Sequence, residues 1–430
     1  MNNEQCTIFA QTERSSQMHL DDAEVQPKIT QKRSGCVMNN VQFTIYNEQW
    51  KKVKLGEVVV PLKGKLTEQS DCFHDDWKSL INTTAIDGES KTWANPINAV
   101  LCEPDDVLML WDGERSGLVI TGKQGVVGST FARLRPNHEL DGKYLYFFLL
   151  NNFEWIQNRR TGTGVPHAPK DLMRIFQISY PESLPAQRRI AAILSSADKV
   201  IAATQKTIAK YKQIKQGMME DLLNEQCTMN NVQWKKVKLG ECLKQKPDYG
   251  INAPAVPFDN NLPTYLRITD ITEDGYYSKK DIVSVSSQDA LKYVMEKGDL
   301  VFARTGASTG KTYLYDPKDG MLVFAGFLIR VRTDENVLLP EFFKYQTQTP
   351  QYKNWIDANS MRTGQPGING NEYEAYPVSI PYKNDKPDLA AQRRIAAILS
   401  GIDAKIAAEE KVLEKYEKVK KGLMERMLEE

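Results

Sequence analysis

The chain has 430 residues, 41% of them hydrophobic, and its 56 lysines and arginines nearly balance 55 acidic residues. This length is too great for one ordinary hydrophobic core and predicts two or three domains. Because the net charge is near zero, composition alone gives no argument for nucleic-acid binding. The six cysteines lack a C-x-x-C pair and no apolar run reaches about 18 residues, so we expect a soluble cytoplasmic protein with no metal site, disulfide framework or membrane association.

Residues 1–49 form a polar N-terminal extension without hydrophobic periodicity. It contains NEQCT and MNNVQ, and both return at 224–233. We expect most of residues 1–36 to be loosely ordered. After the extension, WKKVKLGE occurs at 50–57 and again at 234–241, so two domains are predicted to open on the same short strand or loop.

The domains, placed at 50–183 and 225–388, match weakly but in the same order. Each has a strand ending in a glycine-containing turn, a second strand, a helical segment, an Arg-Thr-Gly loop and a last strand. The paired segments are 104–117 with 297–310, 132–136 with 329–333, 144–158 with 340–358, 160–162 with 362–364, and 176–181 with 376–381. This order predicts a compact α+β module that is present twice.

A long helix is predicted after each domain, because AQRRIAAIL occurs at 186–194 and again at 391–399. Each copy opens an apolar pattern with a 3.5-residue period, which is typical of a coiled-coil seam. We place these helices at 184–224 and 389–430. The seam residues that we expect at a coiled-coil or partner interface are Ile190, Leu194, Ile201, Ile208, Tyr211, Ile395, Leu399, Ile406, Leu413 and Tyr416.

Helix limits and polar seam positions also match between the copies. Ser183 and Asp388 stand at equivalent N-cap positions. Gly217 and Gly422 are interpreted as interior residues, at a cost of about 1 kcal/mol each against alanine. The polar seam residues are either partly solvated or fix the register and the partner. They are Thr204, Lys215, Glu409 and Lys420.

The first turn of each helix carries two arginines, which oppose the helix dipole. A carboxylate, a phosphate or a partner protein should compensate for them. We therefore add both triplets to the predicted interface: Gln187, Arg188, Arg189, Gln392, Arg393 and Arg394.

Residues Gly306 to Thr312 read GASTGKT, which resembles a phosphate-binding P-loop. The spacing between the glycines is one residue too short for that motif. The first domain has Gly113 and Gly117 in the same place without the lysine, which favours a hairpin turn in both domains.

The two Arg-Thr-Gly segments begin glycine-rich loops. An arginine and a hydroxyl there can approach phosphates or base edges, or they can cap the preceding helix and turn the chain. Neighbouring cations are either DNA contacts or solvated surface. The candidate DNA-binding residues are Arg115, Lys123, Arg159, Arg160, Thr161, Lys170, Arg304, Lys311, Arg362 and Thr363.

Motifs of common enzymes are missing from the sequence, including H-E-x-x-H, G-x-S-x-G, a full P-loop and the N/D-P-P-Y/F of adenine-N6 methyltransferases. A catalytic carboxylate site without a motif stays open. No catalysis is expected from this chain alone.

The repeated order of these segments over about 50–430 resembles the specificity subunit of type I restriction–modification systems. It is carried by the paired AQRRIAAIL helices, the WKKVKLGE openings, the glycine-turn strands and the Arg-Thr-Gly loops. The resemblance implies two target-recognition domains that each read half of a split site in double-stranded DNA. It also implies that the two long helices separate these domains and pack as an antiparallel coiled coil.

The resemblance further implies that the helices dock two methyltransferase subunits and then restriction/translocase subunits. S-adenosylmethionine, ATP and Mg²⁺ are expected in those partners, with no cofactor in this chain. Two alternatives stay open: a coiled-coil scaffold with no DNA role, and a self-contained nuclease or methyltransferase.

Overall fold

The computed structural model describes residues 48–88, 90–162, 164–223, 233–361 and 364–429. The predicted loosely ordered segment 1–36 lies outside the described residues. The fold is mixed α+β, with two domains and two long helices, as the sequence predicted. Two compact units are present. The first unit comprises the described residues up to Ser196 together with those from Lys421 onward, and the second unit is Ala197–Lys420. Because the unit boundary falls inside both long helices, the domain limits drawn from the sequence stay a prediction.

The first domain contains short strands, four short helices and the start of a long helix within its described residues. The strands are β1 (Trp50–Lys54), β2 (Val59–Lys63), β3 (Gln69–Ser70), β4 (Lys78–Ile81), β5 (Trp93–Ala94), β6 (Leu101–Cys102), β7 (Val107–Leu110), β8 (Val119–Ile120), β9 (Gly125–Val127), β10 (Phe131–Pro136) and β11 (Gln177–Pro181). The helices are α1 (Leu55–Val58), α2 (Gly142–Asn151), α3 (Phe153–Gln157), α4 (Leu172–Ile175) and the long α5 (Leu184–Leu222).

The second domain repeats this plan. Its strands are β12 (Gln233–Lys238), β13 (Asp248–Tyr249), β14 (Ala255–Pro257), β15 (Thr264–Leu266), β16 (Val283–Val285), β17 (Asp299–Ala303), β18 (Thr312–Leu314), β19 (Leu322–Phe324), β20 (Leu328–Arg332), β21 (Pro377–Lys383) and β22 (Lys386–Pro387). The helices are α6 (Pro340–Gln346), α7 (Pro350–Ser360), α8 (Gly370–Glu374) and the long α9 (Leu389–Leu428).

Each domain has a four-stranded antiparallel sheet, a sheet with a parallel pair and a small antiparallel sheet. The first domain has the orders β2-β10-β7-β8 and β3-β5-β4-β9-β6, and the second has β13-β20-β17-β18 and β14-β16-β15-β19. The parallel pairs are β4 with β9 and β15 with β19. In addition, β1 pairs with β11 and β12 with β21, so the opening and closing strands of each domain meet.

Strand β7 shows why these domains form two cores. Its four residues are all buried, and they alternate between two hydrophobic clusters, because successive side chains of a strand point to opposite faces. Val107 and Met109 pack with Tyr144 of α2, whereas Leu108 and Leu110 pack with Ile81 and its neighbours. Strand β17 does the same in the second domain.

The predicted helical segments are each split into two. The first becomes α2 and α3, which meet at Asn152, and the second becomes α6 and α7. Pro350 explains the second break, because proline disfavours the helical conformation of the residue before it. Thr349 is extended, and its side chain accepts a hydrogen bond from the Tyr352 backbone as an N-cap.

The long helices have the predicted caps and interior glycines. The backbone N–H of Ala186 donates to Ser183 Oγ at 3.4 Å, and that of Ala391 donates to Asp388 Oδ1 at 3.0 Å. Gly217 lies inside α5, which has 39 residues, and the equivalent glycine lies inside α9, which has 40.

The two long helices pack antiparallel within the Ala197–Lys420 unit. Three ion pairs join them, and the residue numbers run in opposite directions along the two helices: Asp198 with Lys420, Lys212 with Glu410, and Lys215 with Asp403. Both polar seam lysines are therefore paired across the seam, which supports the interpretation that they fix the register.

The predicted seam residues are mostly buried. Ile190 and Leu194 are fully buried and share a cluster with Met424, Met427 and Leu428 in the first unit. In the second unit, Ile395 and Leu399 share a cluster with Met219. Ile208 and Ile406 are also buried. Ile201, Tyr211 and Leu413 are half-buried, whereas Tyr416 is 40% exposed, so this seam residue is only partly covered.

Candidate nucleic-acid interface

In the first domain, the turn between β7 and β8 lies against the loop that follows α3. The N–H of Gly113 donates to Pro166 O at 2.8 Å, and the N–H of Ala168 donates to Trp111 O at 2.8 Å. Thr161 and His167 exchange backbone hydrogen bonds, which brings these two residues side by side. We call residues 111–117 and 159–168 the first loop pair.

The same arrangement recurs in the second domain, between the β17–β18 turn and the loop after α7. The N–H of Gly306 donates to Pro366 O at 3.0 Å, and the N–H of Ile368 donates to Arg304 O at 2.9 Å. We call residues 304–310, 361 and 364–368 the second loop pair. The scaffold is shared, but its side chains differ.

One glycine in each pair permits a close approach of the turn to the helix behind it. A Cβ on Gly117 would lie 2.6 Å from Ile156 Cγ2, and one on Gly310 would lie 2.8 Å from Ile356 Cγ2. Both glycines have positive φ angles, 96° and 87°. Since each turn joins two antiparallel strands, the hairpin prediction for the G-x-x-x-G segments is confirmed and a P-loop is excluded.

Arg160 and Thr161 hold the first loop pair together. Arg160 Nη1 donates to Glu114 O at 2.6 Å and its Nε donates to Gln157 O at 3.0 Å, at the end of α3. The structure thus shows the helix-capping role for this arginine, and Thr161 remains exposed. The matching Arg362 and Thr363 lie outside the described residues.

The other candidate cations of the first domain lie at or near the first loop pair. Arg115 forms a two-pronged ion pair with Asp87, with Nη2 and Oδ2 2.9 Å apart, and Lys123 donates to Gly88 O at 2.8 Å. The hydrogen bond from Arg115 lowers the pKa of the Asp87 carboxyl. Arg159 stacks on Trp155 at 3.9 Å from the ring centre, and Lys170 is exposed two residues beyond the pair.

In the second domain the two remaining candidates are half-buried. The guanidinium of Arg304 lies 5.0 Å from the ring centre of Tyr249. Lys311 Nζ forms an ion pair with Glu273 Oε1 at 2.8 Å. Both cations therefore have intramolecular partners, which a phosphate or a base edge would have to supplement or replace. Whether any candidate touches DNA stays a prediction.

Sequence reasoning missed a charged group in the first loop pair. His167 Nδ1 lies 2.7 Å from Asp112 Oδ1, and Lys63 Nζ lies 2.8 Å from Asp112 Oδ2. The equivalent positions in the second domain are Thr305 and Gly367, which also face each other as a β-bridge. The sequence does show a carboxylate, Asp112, after an apolar strand, but it does not show which distant residues pair with that carboxylate.

The two helix-start glutamines also have a role that sequence reasoning missed. Gln187 is fully buried in the first unit, where its side-chain oxygen accepts from the Asp141 N–H at 2.8 Å. Its nitrogen donates to Glu139 O and Pro181 O at 2.9 and 2.8 Å. Gln392, also fully buried, accepts from the Leu339 N–H and donates to Val337 O, both at 2.9 Å.

These glutamines therefore attach each long helix to its own domain, and they do not present an interface to a partner. The repeated AQRRIAAIL segment marks this glutamine as a candidate, but it does not reveal that the side chain is buried. Beside them, Arg188 lies 3.4 Å from Asp141 Oδ2, which supplies the carboxylate that we expected. The remaining arginines of the triplets are exposed: Arg189, Arg393 and Arg394.

Two features are absent from the part of the chain that the structure describes. No helix there is long and apolar enough to cross a membrane. Nor does that part of the chain contain a cluster of histidine, cysteine and carboxylate side chains that could hold a metal ion.

Comparison with known proteins identifies what the repeated domains resemble. The profile of the type I restriction modification DNA specificity domain matches residues 47–213 and again residues 231–418. The type I restriction enzyme MjaVIII specificity subunit of Methanocaldococcus jannaschii is 26% identical over 403 residues, which cover 89% of this chain and 92% of that protein.

Two solved structures share the fold. The S subunit of a type I restriction-modification system from M. genitalium superposes with a TM-score of 0.61 at 16% identity, covering 89% of this chain and 97% of that one. A chain from a structural study of complex assembly and conformational transition in the type I R-M system gives 0.51 at 17% identity, with 88% and 97% covered.

Proposed function

This chain belongs to the type I restriction modification DNA specificity family, and on that premise we propose that its two α+β domains read the two halves of a split DNA site. The observation that carries the proposal is the duplicated loop pair: one hydrogen-bonded scaffold occurs in both domains and displays different side chains. A shared scaffold would place both sets against DNA in the same manner, while the differing side chains would select different half-sites.

The test combines methylation mapping in the host with binding measurements at two salt concentrations. We expect a bipartite site, and an affinity that falls steeply with salt because phosphate contacts release counterions. Exchanging residues 50–183 for those of a relative should change one half of the site. A change in both halves, or in neither, would contradict the two-reader proposal.

We also propose that the helix pair docks two methyltransferase subunits, and through them the restriction/translocase subunits. Two packed helices bury one stripe each, yet apolar side chains lie on their exposed sides within the Ala197–Lys420 unit. These are Val200 (42% exposed), Ile214 (38%), Val412 (36%), Tyr416 (40%) and Val419 (53%). Such a surface suits apolar helices of a partner.

Docking can be tested on the exposed face of α9 without breaking the helix pair. Replacing Val412 and Val419 by aspartate should abolish copurification with the methyltransferase subunit, while the helix content by circular dichroism stays unchanged. Lys415→Asp, on an exposed neighbouring position, is the matched control. Equal loss in both variants would count against a specific apolar contact.

In this proposal the chain itself catalyses nothing, and S-adenosylmethionine, ATP and Mg²⁺ belong to its partners. Purified protein incubated with DNA, Mg²⁺ and S-adenosylmethionine should show neither cleavage nor methyl transfer. Turnover without partners would contradict this and favour a self-contained enzyme.

One observation favours the alternative of a coiled-coil scaffold without DNA binding: Arg115, Arg160 and Lys311 already have intramolecular partners. A mobility shift separates the two functions. A scaffold would give no shift with any genomic fragment at low salt, whereas a DNA reader would shift fragments that contain its site.

A further inference from the structure

Asp403 of α9 joins three elements of the Ala197–Lys420 unit. Its side chain is 11% exposed, and Oδ1 lies 2.7 Å from Lys215 Nζ of α5. Its Oδ2 accepts a hydrogen bond from the Tyr345 hydroxyl of α6 at 2.8 Å. One carboxylate thus connects both long helices to the second domain.

The groups around Asp403 complete a polar junction. Lys215 Nζ also donates to Gln348 Oε1 of the second domain at 3.0 Å. Lys344 Nζ lies 4.4 Å from the ring centre of Tyr276. Burial lowers the pKa of Lys344, and the nearby Asp403 charge opposes that change. The Asp403 carboxylate thus pairs with the Lys215 ammonium through Oδ1 and with the Tyr345 hydroxyl through Oδ2.

Burial strengthens the hydrogen bonds of this junction and constrains their geometry. Burial raises the pKa of Tyr345 and of Tyr276, with the Asp403 charge adding to it in both. Hydrogen bonds to an ionised group that is shielded from water are stronger than neutral ones, and they constrain geometry. A tilt of the second domain on the helices would lengthen or bend the 2.8 Å Tyr345 hydrogen bond and so weaken it.

The internal repeat supplies a natural comparison. Asp198 and Lys420 are the repeat counterparts of Asp403 and Lys215, and they form the same ion pair between the helices. Counting from the start of α2 and of α6, the first-domain counterparts of Tyr345 and Gln348 are Phe147 and Leu150. Neither side chain has a hydroxyl or an amide group, so these two positions cannot supply equivalents of the Tyr345 and Gln348 hydrogen bonds.

We propose that Asp403 is a positioning residue that holds the second domain in one orientation on the helix pair, and thereby lets the protein distinguish split DNA sites with different spacer lengths. The spacer part of this inference rests on the proposed function. The orientation part does not, because it concerns only the Ala197–Lys420 unit.

Three variants of the full chain separate the roles of the junction. Asp403→Asn weakens both the helix ion pair and the domain bond. Tyr345→Phe removes only the hydrogen bond from Tyr345 to Asp403 and leaves the helix ion pair, the Gln348 hydrogen bond and Tyr276 in place. Asp198→Asn, the matched control, weakens the equivalent helix ion pair and leaves the second domain's junction intact. Any general effect of weakening the helix pair will therefore show in the control as well.

The first measurement is a spin-label distance between exposed Lys318 in the second domain and exposed Lys405 on α9, with both replaced by labelled cysteine after the native cysteines are removed. We expect a narrow distribution in the parent and in Asp198→Asn, and a broadened one in Asp403→Asn and Tyr345→Phe. A distribution that stays narrow in both junction variants would overturn the proposal, whether or not the protein binds DNA.

The second measurement is the ratio of affinities for the mapped site and for a site with one base pair added to its spacer. Coupling between two binding sites is typically worth about fivefold or more, and we expect at least that loss of discrimination in the two junction variants. If the two junction variants give the same affinity ratio as Asp198→Asn and only their melting temperature is lowered, Asp403 merely stabilises the fold and the positioning proposal is wrong. If the parent binds no site specifically, the proposed function fails while the distance measurement still decides the orientation.

Discussion

Replacing Gln392 by alanine should strongly destabilise the second unit. The substitution leaves the buried N–H of Leu339 and the carbonyl of Val337 without their partner, where each hydrogen bond is 2.9 Å long. An orphaned buried donor costs about 1–3 kcal/mol. Val337 is only half-buried, so water can serve its carbonyl. With the lost packing added, we expect a loss of about 3 kcal/mol in the free energy of unfolding.

Urea unfolding followed by tryptophan fluorescence measures this effect, because Trp234 and Trp355 pack against the core of the second unit. With a urea dependence of about 2 kcal/mol per molar, the midpoint should fall by about 1.5 M. Gln392→Met restores volume without the hydrogen bonds and should retain most of the loss. Exposed Arg393→Ala should change stability by less than about 0.5 kcal/mol. If Gln392→Ala lowers the free energy of unfolding no more than Arg393→Ala does, the Gln392 hydrogen bonds do not hold the helix to the domain.

Three further predictions concern a glycine turn, an ion pair and an exposed lysine. Gly310→Ala should cost more stability than Gly320→Ala by about 1–2 kcal/mol, because both have positive φ but a Cβ on Gly310 meets a side chain at 2.8 Å whereas Gly320 faces open space; equal thermal denaturation midpoints would refute this. Burial pushes the pKa of Asp106 up, but hydrogen bonds from Arg135 at 2.7 and 2.6 Å help to outweigh it, so its pKa is lowered. A lowered folded-state pKa stabilises above the unfolded value of about 3.9, and that contribution is lost as pH falls through the folded value. The stability gap between the parent and Asp106→Asn should therefore be full near neutral pH and close in acid; a gap independent of pH would count against the pair. Lys170→Ala should weaken DNA binding evenly across sequences and reduce the salt slope by about one phosphate contact; a changed half-site would instead make Lys170 a base contact.

The outcomes at the polar seam show where sequence periodicity is informative. Lys215 and Lys420 stand in apolar slots of a repeat, which marks them as exceptional without naming a partner. The sequence alone therefore left two interpretations open, partly solvated positions or residues that fix the register. The antiparallel pairing of the helices brings each lysine to an aspartate of the other helix and decides for register.

The candidate DNA site was predicted less completely. The Arg-Thr-Gly segment and the glycine turn were both recognised, but not their contact, because the residues that touch are about 50 positions apart in the chain. Arg160 shows the consequence, since its guanidinium is occupied by two carbonyls that no local pattern indicates. His167 and Lys63 meet at Asp112 for the same reason.

The amino-acid sequence by itself determined the duplicated α+β plan, the long helices with their caps and interior glycines, and the hairpin nature of the G-x-x-x-G turns. These features depend on local spacing and on the repetition of short segments, and the 3.5-residue period records the long helices directly. Only the tertiary structure decided that Gln187 and Gln392 attach the helices to the domains, and that Asp403 is shared by two helices and a tyrosine. Burial and hydrogen-bond partners come from segments far apart in the chain, and a polar side chain carries no local sign of whether it will face water or a buried backbone group.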